Sequence, residues 1–461
     1  MTIQSMVNAC NGCYHGPKQL IDREITGVAT DSRKVLTDFL FVPLKGEKVD
    51  GHDFIGKVMA AGALVTLSEV ELEDDFPYIK VQSCLQALKD LAKYYRNQLS
   101  CTIVGITGSV GKTSTKEMIA SVLEQRYRVQ KTAGNFNNEI GLPLTIFSIT
   151  QEHEVAVVEM GISDFGEMSR LAEITKPDIC VITNIGYSHL EQLGDRDGVL
   201  KAKTEVLPFI QPGGSLILNG DDDQLLTIKS LDQQQILYYS MENSQANYYA
   251  PKDKKYGIDS AAIFFHSKMP GKEEIDYPVV IPVPGAHQVM NAMAAACVGE
   301  LLGLTLEEIK EGILQVPNIQ GRSNFLRKHN MLIIDDCYNA NPMSMKASIE
   351  VLSQIPGRTI AILGDMGELG GETQKLHREV GEAVANSQIH TLIAIGDLAK
   401  EISIAANKNT VKEIYYFSTK EKALPFIKGY VKVGDSILVK ASHFMKFEQI
   451  VESLTKEDSL V

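Results

Sequence analysis

The stretch CTIVGITGSVGKTSTKEMIASVLEQRY, residues 101–127, decides the central part of the fold. Its first seven residues are apolar and rich in β-branched side chains, a pattern typical of a buried strand. From Lys112 onward apolar residues recur at the i, i+4 spacing of a helix, as in Met118 and Val122. Glycines lie between the two parts. The order predicts a strand, a glycine turn and a helix.

The glycine turn resembles a phosphate-binding loop, although Ile106 stands where a strict loop has its first glycine. Glycine lets the backbone approach an anion, and a helix N-terminus directs its N–H groups at it. Lys112 adds a positive charge and Thr113 a hydroxyl suited to Mg²⁺. We therefore predict ATP or GTP binding by Gly108, Ser109, Val110, Gly111, Lys112, Thr113 and Ser114. A tight turn with a solvated lysine is the plainer alternative.

Composition restricts the possible partners. The chain has 461 residues, 44% hydrophobic and 22% charged, which fits a globular protein of about two to four domains. A net charge of −13 argues against a general nucleic-acid partner. The sequence shows neither a membrane-spanning apolar run nor a signal peptide, so we expect no membrane insertion and a cytoplasmic protein.

The cysteines do not predict a disulfide framework, because they are seven in number and scattered. Cys10 and Cys13 form a CxxC pair with His15 nearby, but no second pair completes a closed zinc site. We interpret this segment as a turn with two incidental thiols.

Apolar strands alternate with helical segments along most of the chain, which predicts an α/β fold of three domains. We predict a small α/β substrate domain over 1–98 and a central P-loop ATPase domain with a mainly parallel sheet over 99–316. Strands such as MLIID (331–335) and RTIAILG (358–364), each followed by a helix, predict a Rossmann-like doubly wound domain over 317–461. ATP is expected at a junction between domains.

Candidate chemical groups follow the predicted strands of the central domain. Glu159 ends one strand, where open α/β sheets place their ligands, and is suited to Mg²⁺. His189 follows the next strand, and a hydrogen-bonded structural histidine is its plainer interpretation. Lys203 lies in a segment whose plainer interpretation is a solvated helix face.

The remaining candidates are loop residues and junction residues. Arg322 is placed to reach a terminal phosphate, and Asp336 to accept a hydrogen bond from a ribose. Loop amides serve either turns or substrate binding. They are Asn137 and Asn138 in NFNNEIG, and Asn339 and Asn341, beside Tyr338, in YNANP.

Taken in order, these motifs resemble the Mur ligases, ATP-dependent amide-forming enzymes of peptidoglycan synthesis. The resemblance rests on TGSVGKTST (107–115), VVEMG around Glu159, His189, AKTE (202–205), PGAHQVMNAMAA (284–295), Gly321-Arg322 and Asp336. Within the family, DDCYNANPMSM (335–345), LGDMGELG (363–370) with His377, TDSRKV (30–35) and KGEKVDGHDFI (45–55) resemble the members that join D-alanyl-D-alanine to UDP-N-acetylmuramoyl-tripeptide.

The resemblance implies a role for each matching residue. Lys112 and Thr113 would bind the ATP phosphates and Mg²⁺, and Glu159 and His189 would hold a second Mg²⁺. Lys203 would be carbamylated and serve as a further metal ligand. The other implied contacts are Asn291 with adenine, Arg322 with the γ-phosphate, Asp336 with ribose, and Ser32 and Arg33 with the UDP-sugar.

The resemblance also shows departures and leaves alternatives. Gln288 stands where the family usually has Asn, and Ala441 and His443 replace the usual Gly and Arg of a late loop. Another Mur-type or folylpolyglutamate-type ligase would share every ATP residue. Two further alternatives for the function are a kinase and a nucleotide-gated scaffold that catalyses no reaction. We expect a monomer, and the third residue of the tripeptide is not readable from the sequence.

Overall fold

The computed structural model describes residues 1–73, 75–252, 260–406 and 411–456, which form three sheet-containing domains. This arrangement confirms the predicted α/β class with three domains. The predicted boundaries after residues 98 and 316 fall between the sheets and stay predictions.

The N-terminal domain is a small sheet covered by helices. It comprises helices α1 (Ile3–Ala9), α2 (Ile55–Ala60) and α3 (Cys84–Arg96) and strands β1 (Cys13–His15), β2 (Gly27–Ala29), β3 (Phe39–Phe41), β4 (Val65–Ser68) and β5 (Tyr78–Lys80). Among the described residues the strand order is β1-β5-β4-β3-β2, and β1 alone is antiparallel to its neighbour. Ser83 starts α3, because its side chain accepts a hydrogen bond from the N–H of Gln86. Leu88 and Leu91 of this helix pack against Leu40 and Ile79 of the sheet.

The middle domain is built on the strand that precedes the glycine turn. Its helices are α4 (Lys112–Leu123), α5 (Gly141–Phe147), α6 (Glu167–Thr175), α7 (Leu190–Leu193), α8 (Arg196–Thr204), α9 (Ala286–Leu301) and α10 (Leu306–Leu314). Its strands are β6 (Thr102–Thr107), β7 (Val129–Lys131), β8 (Val155–Glu159), β9 (Ile179–Ile182), β10 (Ser215–Asn219), β11 (Gln235–Ser240), β12 (Tyr248–Tyr249), β13 (Ala261–Ser267) and β14 (Ile275–Ile281).

These strands form one sheet, in the order β14-β13-β12-β11-β10-β9-β6-β8-β7 over the described part of the chain. From β7 to β12 neighbouring strands are parallel, as predicted. The antiparallel hairpin β13–β14 was not predicted. Its residues alternate between buried and exposed, because only one face is covered, whereas the central strands are buried on both faces.

The C-terminal domain repeats the strand–helix alternation. Its helices are α11 (Pro342–Ser353), α12 (Thr373–Ala385), α13 (Ala399–Ala406), α14 (Lys420–Tyr430) and α15 (Glu448–Thr455), and its strands are β15 (Asn324–Lys328), β16 (Met331–Asp335), β17 (Thr359–Gly364), β18 (Thr391–Ile395), β19 (Glu413–Phe417) and β20 (Ser436–Lys440). Within the residues described, the order is β15-β16-β20-β17-β18-β19, parallel apart from the edge strand β15.

Strand register brings the polar strand ends of each sheet together. In the middle sheet Ile106 pairs with Glu159, and Thr107 pairs with Ile182, so the loop that follows β6 lies between the ends of β8 and β9. The C-terminal domain approaches this edge closely, since a Cβ at Gly186 would collide with Sδ of Met343. The site therefore forms where the two sheets face each other.

Candidate active site

The loop between β6 and α4 has a shape that requires glycine. Gly108 has a φ of 144° and Gly111 a φ of 86°, both in the region that favours glycine. A Cβ at Gly108 would collide with Oγ1 of Thr183. The Thr183 hydroxyl in turn donates to the Val110 carbonyl at 2.6 Å, so the strand end of β9 fixes the loop.

Asn184 holds the first part of the loop, a role that sequence reasoning missed. Its backbone carbonyl accepts from the N–H of Ser109 at 3.0 Å, and its Oδ1 accepts from the N–H of Val110 at 2.9 Å. Those two N–H groups are therefore used within the protein. The N–H groups of residues 111–114 have no acceptor among the described residues, and they are the donors left for a phosphate.

Lys112 lies in the mouth of the loop. Its Nζ donates to the carbonyl of Gly108 at 2.7 Å and contacts that of Ser109 at 3.4 Å. Burial lowers the pKa of Lys112, and the nearby Arg322 guanidinium lowers it further, while the Glu159 carboxylate opposes both. An incoming phosphate would replace neutral carbonyls with an anion as the partner of this ammonium group.

Glu159 connects the loop to the NFNNEIG segment. Its Oε2 accepts from the Thr113 hydroxyl at 2.9 Å, and its Oε1 accepts from Nδ2 of Asn137 at 2.8 Å. The residue is 1% exposed and forms no ion pair among the described residues. A buried carboxylate whose donors are all neutral keeps its negative charge available for a cation.

Lys203 is a buried ammonium group without an acidic partner. The residue is 1% exposed near the end of α8 and forms no ion pair in the described residues. Burial holds the pKa of Lys203 well below its ordinary range, and the nearby Lys112 lowers it further. The solvated helix face that the sequence allowed describes Lys201, which is exposed, but not Lys203.

His189 is held between two domains. It precedes α7 with a φ of 53°, and its Nδ1 lies 2.7 Å from Oε2 of Glu368 in the C-terminal domain. This contact lowers the pKa of Glu368. The sequence pointed to LGDMGELG as a family marker, but it gave no signal that Glu368 reaches His189.

Arg322 lies over the ring of Tyr338, with Cζ 4.0 Å from the ring centroid. On the same tyrosine, the His443 ring lies 5.6 Å away, centroid to centroid. Gly321 allows the approach, since it has a φ of 74° and a Cβ there would lie 3.2 Å from Cβ of Tyr338. Tyr338 thus contacts both the Arg322 guanidinium and His443, the residue that stands where the family usually has Arg.

Asn291 and Asp336, the residues expected at adenine and ribose, are both engaged within the protein. Oδ1 of Asn291 accepts from the Thr115 hydroxyl at 2.9 Å, and its Nδ2 donates to Oε1 of Gln288 at 3.1 Å. Oδ2 of Asp336 lies 2.6 Å from Nζ of Lys440. The other donors to the Asp336 carboxylate are the Ser323 N–H and the Ser348 hydroxyl.

The candidate substrate residues divide into two groups. Asn138 and Asn341 accept hydrogen bonds from backbone N–H groups at the start of α5 and α11, and Asn339 accepts from the N–H of Ala340, which are structural turn contacts. Arg33, next to Ser32, is largely exposed and pairs with both oxygens of Asp31. Lys34 lies over the ring of Phe136 at 5.6 Å, which links the TDSRKV and NFNNEIG segments.

The CNGC segment forms no disulfide, since Cys10 and Cys13 are both free thiols. His15 stacks on Tyr78 with the ring centroids 4.7 Å apart. In the described residues no helix is long and apolar enough to cross a membrane.

Comparison with known proteins gives a consistent result over the whole chain. Residues 24–96 match the model "Mur ligase family, catalytic domain", residues 106–299 match "Mur ligase middle domain", and residues 321–443 match "Mur ligase, glutamate ligase domain". The chain is 36% identical over 468 residues to UDP-N-acetylmuramoyl-tripeptide--D-alanyl-D-alanine ligase of Bacillus subtilis (strain 168), with 98% of each chain covered.

Solved structures agree with these matches. A crystal structure of MurF from Acinetobacter baumannii superposes with a TM-score of 0.90 at 32% identity, covering 98% of both chains. A MurF ligase from Thermotoga maritima in complex with ADP has a TM-score of 0.81 at 30% identity, covering 92% of this chain and 96% of that one.

Proposed function

The chain belongs to the Mur ligase family, and on that basis we propose that it uses ATP to join D-alanyl-D-alanine to UDP-N-acetylmuramoyl-tripeptide. The products are UDP-N-acetylmuramoyl-pentapeptide, ADP and phosphate. The observation that carries this proposal is that Glu159 accepts from the Thr113 hydroxyl of the loop at 2.9 Å, while the Arg322 guanidinium of the C-terminal domain lies near enough to Lys112 to lower its pKa.

A carboxylate is a poor electrophile, so the reaction has to convert one of its oxygens into a leaving group. In the proposed first step an oxygen of the tripeptide carboxylate attacks the γ-phosphorus of ATP, which gives an acyl phosphate and ADP. Lys112 and Arg322 would offset the negative charge of the two anions at the loop. The Arg322 guanidinium packs on the ring of Tyr338, which would restrict its position.

In the second step the neutral amine of D-alanyl-D-alanine attacks the acyl carbon. The tetrahedral intermediate expels phosphate, and the amide forms with loss of the ammonium proton. Water has to be excluded here, because it would hydrolyse the acyl phosphate. The close approach of Met343 to Gly186 brings the C-terminal domain near the loop, and we expect this packing to help to exclude water.

We propose that Mg²⁺ binds beside the loop, held by the Thr113 hydroxyl, Glu159, His189 and a carbamylated Lys203. Once bound, Mg²⁺ would stabilise charge on the phosphate oxygens. Two observations support this proposal: Glu159 has no ion-pair partner, and Nε2 of His189 has no protein partner, among the described residues. The described residues contain no group of three His, Cys, Asp or Glu side chains arranged for a metal, so the site depends on the modified lysine. One carboxylate and one imidazole leave the site short of anionic ligands.

Carbamylation of Lys203 would supply that missing ligand. Because burial lowers its pKa, a larger fraction of the amine is neutral and able to attack CO₂: the N–C bond forms, a proton leaves, and a carbamate anion results. The reaction would turn a buried amine that has no acidic partner among the described residues into an anionic ligand for the metal.

The remaining binding roles stay proposals of the same kind. We propose that Asn291 lies near adenine, Asp336 near ribose, and Ser32 and Arg33 near the UDP-sugar. Asn137 is proposed on the substrate side because it hydrogen-bonds Glu159. We also propose that the protein is cytoplasmic. We propose that it is a monomer, because one chain supplies all the groups proposed for the ATP site, and sedimentation velocity at working concentration measures the oligomeric state.

Phosphate release tests the function directly. The protein is supplied with ATP, Mg²⁺ and UDP-N-acetylmuramoyl-tripeptide, and D-alanyl-D-alanine is present or replaced by D-alanine, D-glutamate or L-amino acids. Release that requires the dipeptide, with the mass of the pentapeptide product, supports the proposal. Turnover with a single amino acid instead would favour another amide ligase, and a phosphorylated stable product would favour a kinase.

A further inference from the structure

We propose that Glu368 is a positioning residue for His189, so that the middle domain presents this imidazole to a metal only while the C-terminal domain is seated against it. The inference rests on the metal role proposed for His189. It assigns a function to LGDMGELG, a segment of the C-terminal domain that supplies no ligand itself.

The contact is specific to one ring nitrogen. Nδ1 of His189 is buried and lies 2.7 Å from Oε2 of Glu368, which is its nearest acidic group among the described residues. The oxygen is within hydrogen-bonding distance of Nδ1 but lies off the direction of its N–H bond, so the contact is bent. The imidazole is 23% exposed, and its Nε2 has no partner within the described chain.

Three consecutive residues fix the segment that carries Glu368. Oδ1 of Asp365 accepts from the N–H of Ala399 at 2.7 Å. The Met366 N–H donates to Nε2 of His377 at 3.0 Å, and the Gly367 N–H donates to the Ser442 hydroxyl at 2.9 Å. His377 thus has a structural role: it holds this loop.

Both members of the contact have backbones that non-glycine residues rarely adopt. His189 has a φ of 53° and Glu368 a φ of 61°. Such conformations persist where the surrounding structure determines them, and they concentrate at functional sites. The anchored loop therefore directs Glu368 at the turn that carries His189.

The contact is also part of a larger interface between the two domains. The Glu368 carbonyl accepts from the N–H of Glu191 at 3.4 Å, and Leu369 is buried with Leu190 and Leu193 of α7 in one cluster. A Cβ at Gly370 would lie 3.3 Å from Cα of Glu191. Separation of the domains would remove Glu368 from His189 together with this packing.

Pairing at Nδ1 has a defined chemical consequence. A carboxylate at Nδ1 favours the tautomer that carries its proton there, which leaves the lone pair on Nε2 for a metal. Without Glu368, both tautomers and other ring orientations become accessible. An ordinary interdomain ion pair would stabilise the closed arrangement without this effect on the imidazole.

A double-mutant cycle distinguishes the two roles. Mn²⁺ affinity of the ADP complex is measured by electron paramagnetic resonance for Glu368→Ala, His189→Ala and the double variant. We expect Glu368→Ala to weaken Mn²⁺ binding about 10- to 100-fold, as loss of an outer partner of a metal ligand does. On the His189→Ala background the same change should have little effect. Glu368→Gln, which keeps an acceptor oxygen, should recover most of the affinity.

Glu191→Gln is the matched control, because it removes one exposed charge from the same edge and leaves the His189 contact intact. It should change the affinity less than threefold. The metal-free protein supplies a second readout: ¹⁵N spectra of labelled histidine should show His189 with its proton on Nδ1 in the wild type and on a mixture of nitrogens in Glu368→Ala.

Two failures are distinguishable. If His189→Ala leaves Mn²⁺ affinity unchanged, the proposed metal role is wrong and this inference with it. If His189→Ala weakens binding but Glu368→Ala does not, or if His189 carries its proton on Nε2 in the wild type, the metal role stands and the positioning role of Glu368 is wrong.

Discussion

Glu159 and Asp336 are both buried carboxylates at the carboxyl end of a parallel strand, yet their surroundings differ in charge. Glu159 is bonded by a hydroxyl and an amide, both neutral. Asp336 lies 2.6 Å from the buried Nζ of Lys440. Asp336 therefore has an ion-pair partner, whereas Glu159 and the buried Lys203 have none among the described residues. Uncompensated charge, more than position at a strand end, marks the residues that we assign to chemistry.

The largest expected effect is on turnover, from Glu159→Gln. The substitution keeps the shape and removes the charge, so we expect a rate loss of about 10²- to 10³-fold or more in phosphate release. The free energy of unfolding should change little. Glu117→Gln is the control, since that carboxylate is already paired with Lys131 at 2.8 Å. Equal rates for the two variants would remove the distinction drawn between the carboxylates.

The second-largest loss of turnover is expected from Lys203→Met. Neither Met nor Arg forms a carbamate, so Lys203→Met and Lys203→Arg are both expected to lose about 10²-fold in rate. The wild type supplied with ¹³CO₂ should show a carbamate signal in its ¹³C spectrum that both variants lack. Lys201→Met, two residues earlier and exposed, should retain activity and signal. A fully active Lys203→Met would refute the carbamate.

Asp336→Asn should act on stability more than on turnover. It leaves the ammonium group of Lys440, 2% exposed, without an acidic partner, which typically costs about 3–5 kcal/mol. The Asn339 carbonyl still accepts from Lys440 at 3.1 Å, so we expect the loss in free energy of unfolding to lie near the lower end of that range. Thermal unfolding and ADP affinity are measured together. Weaker ADP binding would support the ribose role proposed for Asp336, and unchanged unfolding would contradict its structural role.

The smallest effect is expected from Gln288→Asn, which restores the residue usual in the family. The shorter side chain loses its reach to Nδ2 of Asn291, at present 3.1 Å from Oε1 of Gln288. One neutral hydrogen bond contributes about 0.5–1.5 kcal/mol, so ADP affinity should change by at most about tenfold. Isothermal titration with ADP measures it. A larger loss would mean that Gln288 contacts the nucleotide directly.

The same comparison explains how far the sequence could predict the site. The loop at 105–113 and Glu159 were predictable, because strand, glycine and helix patterns are local and parallel strands end at one edge. Such patterns could not predict which of the two carboxylates, Glu159 or Asp336, has a cationic partner. Lys440 lies 104 positions from Asp336 in the chain, and only the order β16-β20-β17 brings them together.

Contacts between domains were not predictable either, because they join residues that are far apart in the sequence. Nothing local in LGDMGELG indicates that Glu368 reaches His189, since the contact depends on two left-handed residues and on the seating of one domain against another. The resemblance to a known family supplied roles for Asn291 and Asp336. It could not indicate that the side chain of Asn291 is already hydrogen-bonded to Thr115 and Gln288, or that of Asp336 to Lys440.

Transfer of oxygen from substrate to phosphate tests the central claim most directly. UDP-N-acetylmuramoyl-tripeptide is labelled with ¹⁸O at both oxygens of its reacting carboxylate and converted with ATP and D-alanyl-D-alanine, and the mass of the released phosphate is measured. An acyl phosphate predicts one ¹⁸O in each phosphate and one retained in the new amide. Unlabelled phosphate, or release that does not depend on D-alanyl-D-alanine, would contradict the proposed reaction.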